Sequence, residues 1–464
     1  MLTREQLFLS LMVAILILGF AVVKLPALVS AALELLNRRR QDGIRIGNLF
    51  ISHDSRVRHT HIVGATGTGK TILIEQLLFQ DIALGGGAII IDPKGERFFF
   101  EKVKGFCSEV GRSQDLHLLS STFGEESSTW NPCALGSISE LQTKFFNSAI
   151  YQEPYYAKAC EYGLLTAFQK LFEQQSGDIC IPDLIRELEK MSRTEKDATL
   201  KGLFFDLNNL AQGEWAELLC CTETSKAPVS ILEIIQNNKI LFVDLPTEGK
   251  KVQSSRIGRL LTQEVILVSG MRKRAAVALG NRPFAVYVDE FDAFATESFS
   301  TFLNKGRSSN FMIHLAHQTL SDLDIISKSF TGQILGNCNV RFIFRQDDPD
   351  DAEKWARFFG TKNTVKSTYR TSSGQATGDA SNRETQEFVF SPNVIKNLKT
   401  GQCIYSSKTP RKTKLFQVPF RPQSKPIAMV QPSQQTQPST TKSRIQGFTH
   451  EDFIRETTFQ REEI

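Results

Sequence analysis

Between the apolar run His61-Ile62-Val63 and the helical pattern Ile72-Leu73-Ile74-Glu75-Gln76-Leu77-Leu78 lies one octet, Gly64-Ala65-Thr66-Gly67-Thr68-Gly69-Lys70-Thr71. No other stretch restricts the fold so tightly. A G-x-x-x-x-G-K-[ST] octet carries meaning between a strand and a helix, and that is its setting here. Its glycines let the backbone curl until N–H groups point inward at phosphate oxygens, and the helix start adds partial positive charge. Gly64, Ala65, Thr66, Gly67, Thr68, Gly69, Lys70 and Thr71 are therefore the candidate nucleotide-binding positions. Lys70 is suited to the β- and γ-phosphates and the Thr71 hydroxyl to Mg2+. The flanking strand and helix argue against a chance glycine turn. The octet specifies a nucleotide but not a purpose.

A chain of 464 residues has room for several domains. Its 41% hydrophobic and 23% charged content suits a globular protein with a real core. The net charge of +5 leans weakly toward anionic partners and is no nucleic-acid signature by itself. The eight cysteines show no C-x-x-C and the seven histidines no H-E-x-x-H, so a structural metal is not indicated. We read the cysteines as reduced thiols in a reducing compartment.

Leu7 to Val23 carries no charge, and Leu25 to Leu33 continues the apolar character past Lys24. A bilayer core needs about 20 apolar helical residues, which this stretch supplies if Lys24 snorkels to the interface. Arg38-Arg39-Arg40 and Arg45 follow it, whereas Arg4 alone precedes it, beside Glu5. The positive-inside rule then puts the N-terminus outside and the rest in the cytoplasm. A cleaved signal peptide ending at Val29-Ser30-Ala31 is the competing reading. The length of the apolar run, and the need of a nucleotide loop for cytosolic ATP, weigh against it.

Alternation over residues 43–52 predicts a β-hairpin leading into the core. Ala88-Ile89-Ile90-Ile91-Asp92 reads as a buried parallel strand, with Pro93-Lys94-Gly95-Glu96 at the carboxyl end where such sheets put ligands. Asp92 and Glu96 either touch Mg2+-bound water or, for Asp92, cap the next turn. Leu116 to Leu119 is another strand. From residue 137 to 224 strand runs vanish and helical periodicity takes over, predicting an all-α insertion. Its aromatic stripe (Phe145, Phe146, Tyr156, Phe168, Phe172) reads as helix core rather than a base-stacking platform. Sheet pattern returns at Lys239–Asp244, and a long helix from about Arg256 to Arg274 follows.

Phe284-Ala285-Val286-Tyr287-Val288-Asp289-Glu290 is the second nucleotide signal, an apolar strand ending in two acids. Asp289 is the candidate for the Mg2+ water shell and Glu290 for polarising the attacking water. Phe311 to Ala316 predicts a strand followed by His317-Gln318, with Gln318 a candidate γ-phosphate sensor. Arg307 is a candidate arginine finger acting on a neighbouring subunit, and Arg341 and Arg345 are alternatives. The polar segment Thr361 to Gln386 predicts a long hairpin, facing nucleic acid or solvent. From Arg421 onward Pro, Gln, Ser and Thr dominate, predicting a disordered tail.

Taken together, the octet, Ile89–Glu96, Trp130-Asn131-Pro132, the helical insertion, Phe284–Phe291, Gly306-Arg307, Gln318 and Phe388–Tyr405 resemble the type IV coupling proteins of bacterial conjugation and type IV secretion, the TraD/TraG-like class. The likeness runs from about Gly43 to Val418. It implies an α/β, RecA-like P-loop core (37–136 and 225–420) interrupted by an all-α domain (137–224), after a membrane anchor (1–36) and before a disordered tail (421–464). It further implies an inner-membrane homo-hexamer, a DNA-stimulated ATPase using ATP and Mg2+, to which the one apolar run adds a single-pass anchor. Such a motor delivers a relaxase–DNA complex, or protein effectors, to the channel. By residue, Gly67, Gly69, Lys70 and Thr71 bind phosphates and Mg2+, Asp289 and Glu290 serve metal and water, Gln318 senses, and Arg307 acts in trans. The family usually has two spans with a small periplasmic domain, whereas one span is read here. A protein-effector receptor and a chromosome-segregation or phage-packaging translocase are the alternatives. No winged-helix module follows the motor, and no N-K-x-D guanine reader is found.

Overall fold

The computed structural model describes residues 43–174, 178–195, 198–219, 226, 228–274, 282–372 and 375–420. The expected anchor and tail lie outside these residues. Among the described residues no helix is long and apolar enough to cross a membrane.

Strands β1 (Gly43–Ile46) and β2 (Leu49–Ser52) form the expected antiparallel hairpin. The main sheet is built from β3 (Thr60–Val63), β4 (Ala88–Asp92), β5 (Leu116–Ser120), β6 (Ile240–Asp244), β7 (Phe284–Val288), β8 (Phe311–His317) and β9 (Val340–Ile343). After a second hairpin, β10 (Thr361–Ser372) with β11 (Gln375–Phe388), β12 (Gln402–Lys408) and β13 (Arg411–Gln417) complete it. Its nine strands run in the order β13-β12-β9-β3-β8-β7-β4-β6-β5. From β9 to β5 every pairing is parallel, and β12 and β13 add an antiparallel edge. All residues of β3, β4, β6, β7, β8 and β9 are buried. Burial on both faces is why these strands read as continuous apolar runs rather than alternating ones.

Between β5 and β6 the chain runs through the helices Ile138–Ser148, Pro154–Gln174, Ile181–Glu195, Ala198–Leu210 and Glu214–Leu218. Ser137 and Glu140 form a capping box that starts the first of them. Phe145 and Phe168 are fully buried, as core rather than platform, whereas Phe172 sits at the rim. The apolar interior of this segment is continuous with that of the sheet. One cluster joins Leu141, Phe145, Phe168 and Leu203 to Ile89, Val243 and Val286. A buried ion pair crosses the junction: Lys144 Nζ lies 2.9 Å from Glu264 Oε2 on the long helix Lys251–Arg274. Trp130 Nε1 donates to the other oxygen of Glu264 at 3.2 Å.

β3 lies inside the sheet, with β9 on one side and β8 on the other. The octet thus leaves the sheet at its carboxyl end, between two neighbouring strands, where open α/β sheets bind ligands.

Candidate nucleotide site

The loop after β3 owes its shape to its glycines. Gly67 and Gly69 have φ of 71° and 112°, in the left-handed region open to residues without a Cβ. A Cβ on Gly64 would stand 2.4 Å from Phe344 Cβ. Backbone bonds tie the loop to two neighbouring strand ends, Gly64 N to His317 O at 3.3 Å and Ala65 N to Arg345 O at 2.9 Å. Thr68 Oγ1 donates to Ala65 O at 2.7 Å, and Thr66 Oγ1 to Gln318 Oε1 at 3.1 Å. Helix Lys70–Ala83 begins straight after Gly69. Its N-terminal N–H groups therefore open toward the loop. Lys70 Nζ curls back over the loop, donating to Gly64 O at 2.5 Å and Ala65 O at 3.2 Å. Burial pulls the Lys70 ammonium below the ordinary lysine value, with Asp289 opposing.

The acids come from two strands away. In the order β3-β8-β7-β4, a single strand separates the loop from β7, a span of about 10 Å. Asp289, just past β7, donates its N–H to Ile91 O of β4 at 3.1 Å. Asp289 Oδ1 accepts from Glu290 N at 3.1 Å. Asp289 Oδ2 accepts from Lys94 Nζ at 2.6 Å, and the same ammonium donates to Thr71 Oγ1 at 3.1 Å. Thr71 and Asp289 therefore face each other across a single cation. Glu290 has φ of 41° and its carboxyl is raised, chiefly by burial and then by Asp289.

Asp92 meets both expectations in part. Its Oδ1 accepts weakly from Lys94 N at 3.4 Å, a turn cap, while its buried Oδ2 has no hydrogen-bond partner among the described residues. Burial pushes its carboxyl up to about 7. Glu96 stands exposed ahead of helix Arg97–Glu109 and is not brought to the cluster. Gln318 reaches the loop through Thr66. Arg307 does not reach it. This exposed residue lies before β8 begins at Phe311, whereas the loop aligns with the far end of β8, where Val63 pairs with His317. That places Arg307 roughly 20 Å away along the strand. Arg341 is corrected from finger to core residue: it is buried in β9, donates to Leu335 O and lies 4.7 Å from the Phe358 ring centroid. Arg345 pairs with Asp347 at 2.8 Å.

The residue missed by sequence reasoning is Lys94. The available signal was its position directly after a strand-ending acid at the carboxyl edge of a parallel sheet. Also missed was a buried histidine pair beneath the loop: His61 Nε2 and His317 Nε2 lie 2.5 Å apart, with rings stacked at 4.8 Å. Among the described residues no three His, Cys, Asp or Glu gather around a metal position. Mg2+ needs no such cage, because it keeps water and takes one or two protein oxygens plus phosphate. Thr71 and Asp289 fit that requirement, since a cationic group already bridges them.

This sheet, its glycine loop and the acid pair two strands away define a P-loop NTPase fold. Within that class the chain belongs to the type IV secretion-system coupling proteins, since the model of the family's DNA-binding domain matches residues 43–413. It is 23% identical over 403 residues to the type 4 coupling protein DotL of Legionella pneumophila, covering 68% of this chain and 50% of that protein. The chain thus spans about half the length of this curated relative. The bacterial conjugative coupling protein TrwBdeltaN70, unbound, superposes with a TM-score of 0.64 at 17% identity, over 84% of this chain and 90% of that one. TrwB in complex with ADP and Mg2+ gives 0.61 at 16% identity, over 84% and 91%. VirB4 of Thermoanaerobacter pseudethanolicus gives 0.53 at 14%, over 82% and 96%. These structures share the fold of this chain.

Proposed function

We propose that this chain is a membrane-anchored, ATP-hydrolysing coupling protein that recruits a relaxase–DNA complex and moves DNA toward a type IV secretion channel. The observation that carries the ATPase reading is the meeting of Thr71 and Asp289 across one cation, beside a glycine loop and Glu290. Family membership supports DNA and channel components as partners. The further architecture, a RecA-like core with an all-α insertion, a single-pass inner-membrane anchor, a disordered tail and a homo-hexamer, belongs to the same proposal.

Bound ATP with Mg2+ supplies the phosphoanhydride and the charge neutralisation. The chain's own residues do the rest. Lys70 exchanges the Gly64 and Ala65 carbonyls for phosphate oxygens. The N–H groups of Gly67, Thr68, Gly69 and Lys70 cradle the anion. Thr71 and Asp289 would hold Mg2+. Glu290 orients the attacking water and takes its proton, a role helped by a carboxyl that burial has made more basic. Gln318 couples the occupancy of the γ-phosphate position to Thr66 and the end of β8. Arg307, remote from its own loop, serves a neighbouring subunit.

The test is ATP turnover by the full-length chain in detergent, with Mg2+, with and without DNA. Turnover rises with DNA. Lys70→Ala and Glu290→Gln both abolish it, by about 10²-fold or more, and Glu290→Gln still binds ATP. Turnover retained by Lys70→Ala discards the site. Co-purification of effector proteins in place of relaxase and DNA shifts the cargo assignment to protein.

A further inference from the structure

We propose that Lys94 is a tethered counter-ion that occupies the divalent-cation position between Thr71 and Asp289 until Mg2+ arriving with nucleotide displaces it. The proposal rests on the reading of Thr71 and Asp289 as the Mg2+-holding pair.

Lys94 Nζ stands 2.6 Å from Asp289 Oδ2 and 3.1 Å from Thr71 Oγ1. These are the two oxygens, from two separate motifs, that the NTPase reading assigns to one metal ion. The Lys94 side chain is 31% exposed and that of Asp289 7%, so the pair is largely withdrawn from water. Asp92, Asp289 and Glu290 all face the Lys94 charge. Lys70 also faces Asp289 and Glu290, and without Lys94 it alone would balance this partly buried acidic group, an unfavourable arrangement. An ammonium and Mg2+ cannot share the same two oxygens, so occupancy is exclusive.

The surrounding backbone is fixed, which confines the exchange to the side chain. Leu245 N donates to Asp92 O and Thr247 N to Pro93 O, each at 2.9 Å. Gly95, at φ of 70°, turns the chain against Pro246, where a Cβ would come within 2.7 Å. A lysine suits the task because its compact charge rides on a flexible stem, unlike the planar fork of arginine. Free divalent cation then gains little at a site already neutralised. Nucleotide-borne Mg2+ succeeds because the phosphates bring further ligands and negative charge.

The experiment reads divalent-cation binding without turnover. Mn2+ is titrated into nucleotide-free, full-length protein and followed by electron paramagnetic resonance. Lys94→Met binds Mn2+ at least ~10-fold more tightly than the wild type. Adding Asp289→Asn removes that gain. Lys102→Met, which breaks a pair with Glu75 instead, leaves Mn2+ affinity at the wild-type value. If Lys94→Met does not fold, Lys94→Gln is titrated in its place and gives the same gain. A Lys94 variant that binds Mn2+ no better than wild type overturns the proposal, as does a gain that survives Asp289→Asn. Calorimetry of Mg·ADP binding to the wild type separates the two readings. Normal Mg·ADP binding without the Mn2+ gain removes the role of Lys94 alone. No Mg·ADP binding removes the nucleotide site as a whole.

Discussion

Individual residues here depend on charges placed out of water. In the sheet and at the amino end of β3, His59, His61, His314 and His317 are all buried, and burial lowers the pKa of each. His59 is the clearest case. Its Nε2 bonds Leu303 O at 2.8 Å, and its pKa is pushed down to about 4. The folded chain therefore holds fewer protons on His59 than the unfolded chain between the ordinary histidine value and pH 4. The stability tied to its neutrality is fully present above that ordinary value, about pH 6.5, and is lost as the pH falls toward 4, by at most ~1.4 kcal/mol per pH unit. His59→Asn tests this, since Asn tolerates the φ of 65° at that position. Denaturant unfolding at pH 7.5 should show a loss of about 1–3 kcal/mol from the missing bond. The slope of stability against pH below 6.5 should become shallower than in the wild type.

At the scale of elements, the junction between the helical segment and the sheet depends on a buried charge. Lys144 and Glu264 are both almost fully withdrawn from solvent, and Lys144 Nζ also donates to the carbonyls of Pro132 and Leu135 at 2.8 Å each. Helix Ile138–Ser148 is thereby joined to helix Lys251–Arg274 and to the turn after Trp130. Removing one partner strands the other charge, so Lys144→Met should lower stability by about 3–5 kcal/mol. Replacing both, Lys144→Met with Glu264→Leu, should recover most of that loss, because a packed apolar pair leaves no charge behind. Equal destabilisation of the single and double variants, measured by thermal unfolding, would show that packing rather than charge dominates the junction. The elements themselves were largely legible in advance. The apolar runs ending in Asp92 and Asp289 and the period of the helices between β5 and β6 appear where expected, because burial on both faces or on one stripe leaves a pattern in the chain. The helix Lys251–Arg274 begins earlier than its apolar pattern, since Lys251 and Val252 are exposed and carry no burial signal.

At the scale of the whole molecule, the proposed DNA-moving assembly should bind through phosphates. The family's DNA-binding domain model covers most of this chain, yet the chain's net charge is only +5. Contact therefore has to come from local groups of Lys and Arg rather than from a global field. Binding to single-stranded oligonucleotides of different sequence should be of similar strength, and log affinity should fall linearly with log salt, by about 0.7 per phosphate neutralised. Fluorescence anisotropy across a salt series checks this. A strong preference for one sequence, or affinity insensitive to salt, would count against a backbone-tracking motor.

By itself, the order of residues determined the local chemistry of this protein. The octet from Gly64 to Thr71 and the apolar strand ahead of Asp289-Glu290 are each recognisable within a short window, because loop curvature and strand burial are local demands on residue type. Tertiary structure alone decided which of the charged candidates meet. Strand order brought Gln318 to Thr66 and Asp289 to Thr71, sent Arg307 to the opposite edge and buried Arg341. It also set Lys94 between two oxygens whose residues stand 23 and 195 positions away from it in the chain. Coulomb attraction in a dry site depends on distance through space, which a linear sequence does not contain.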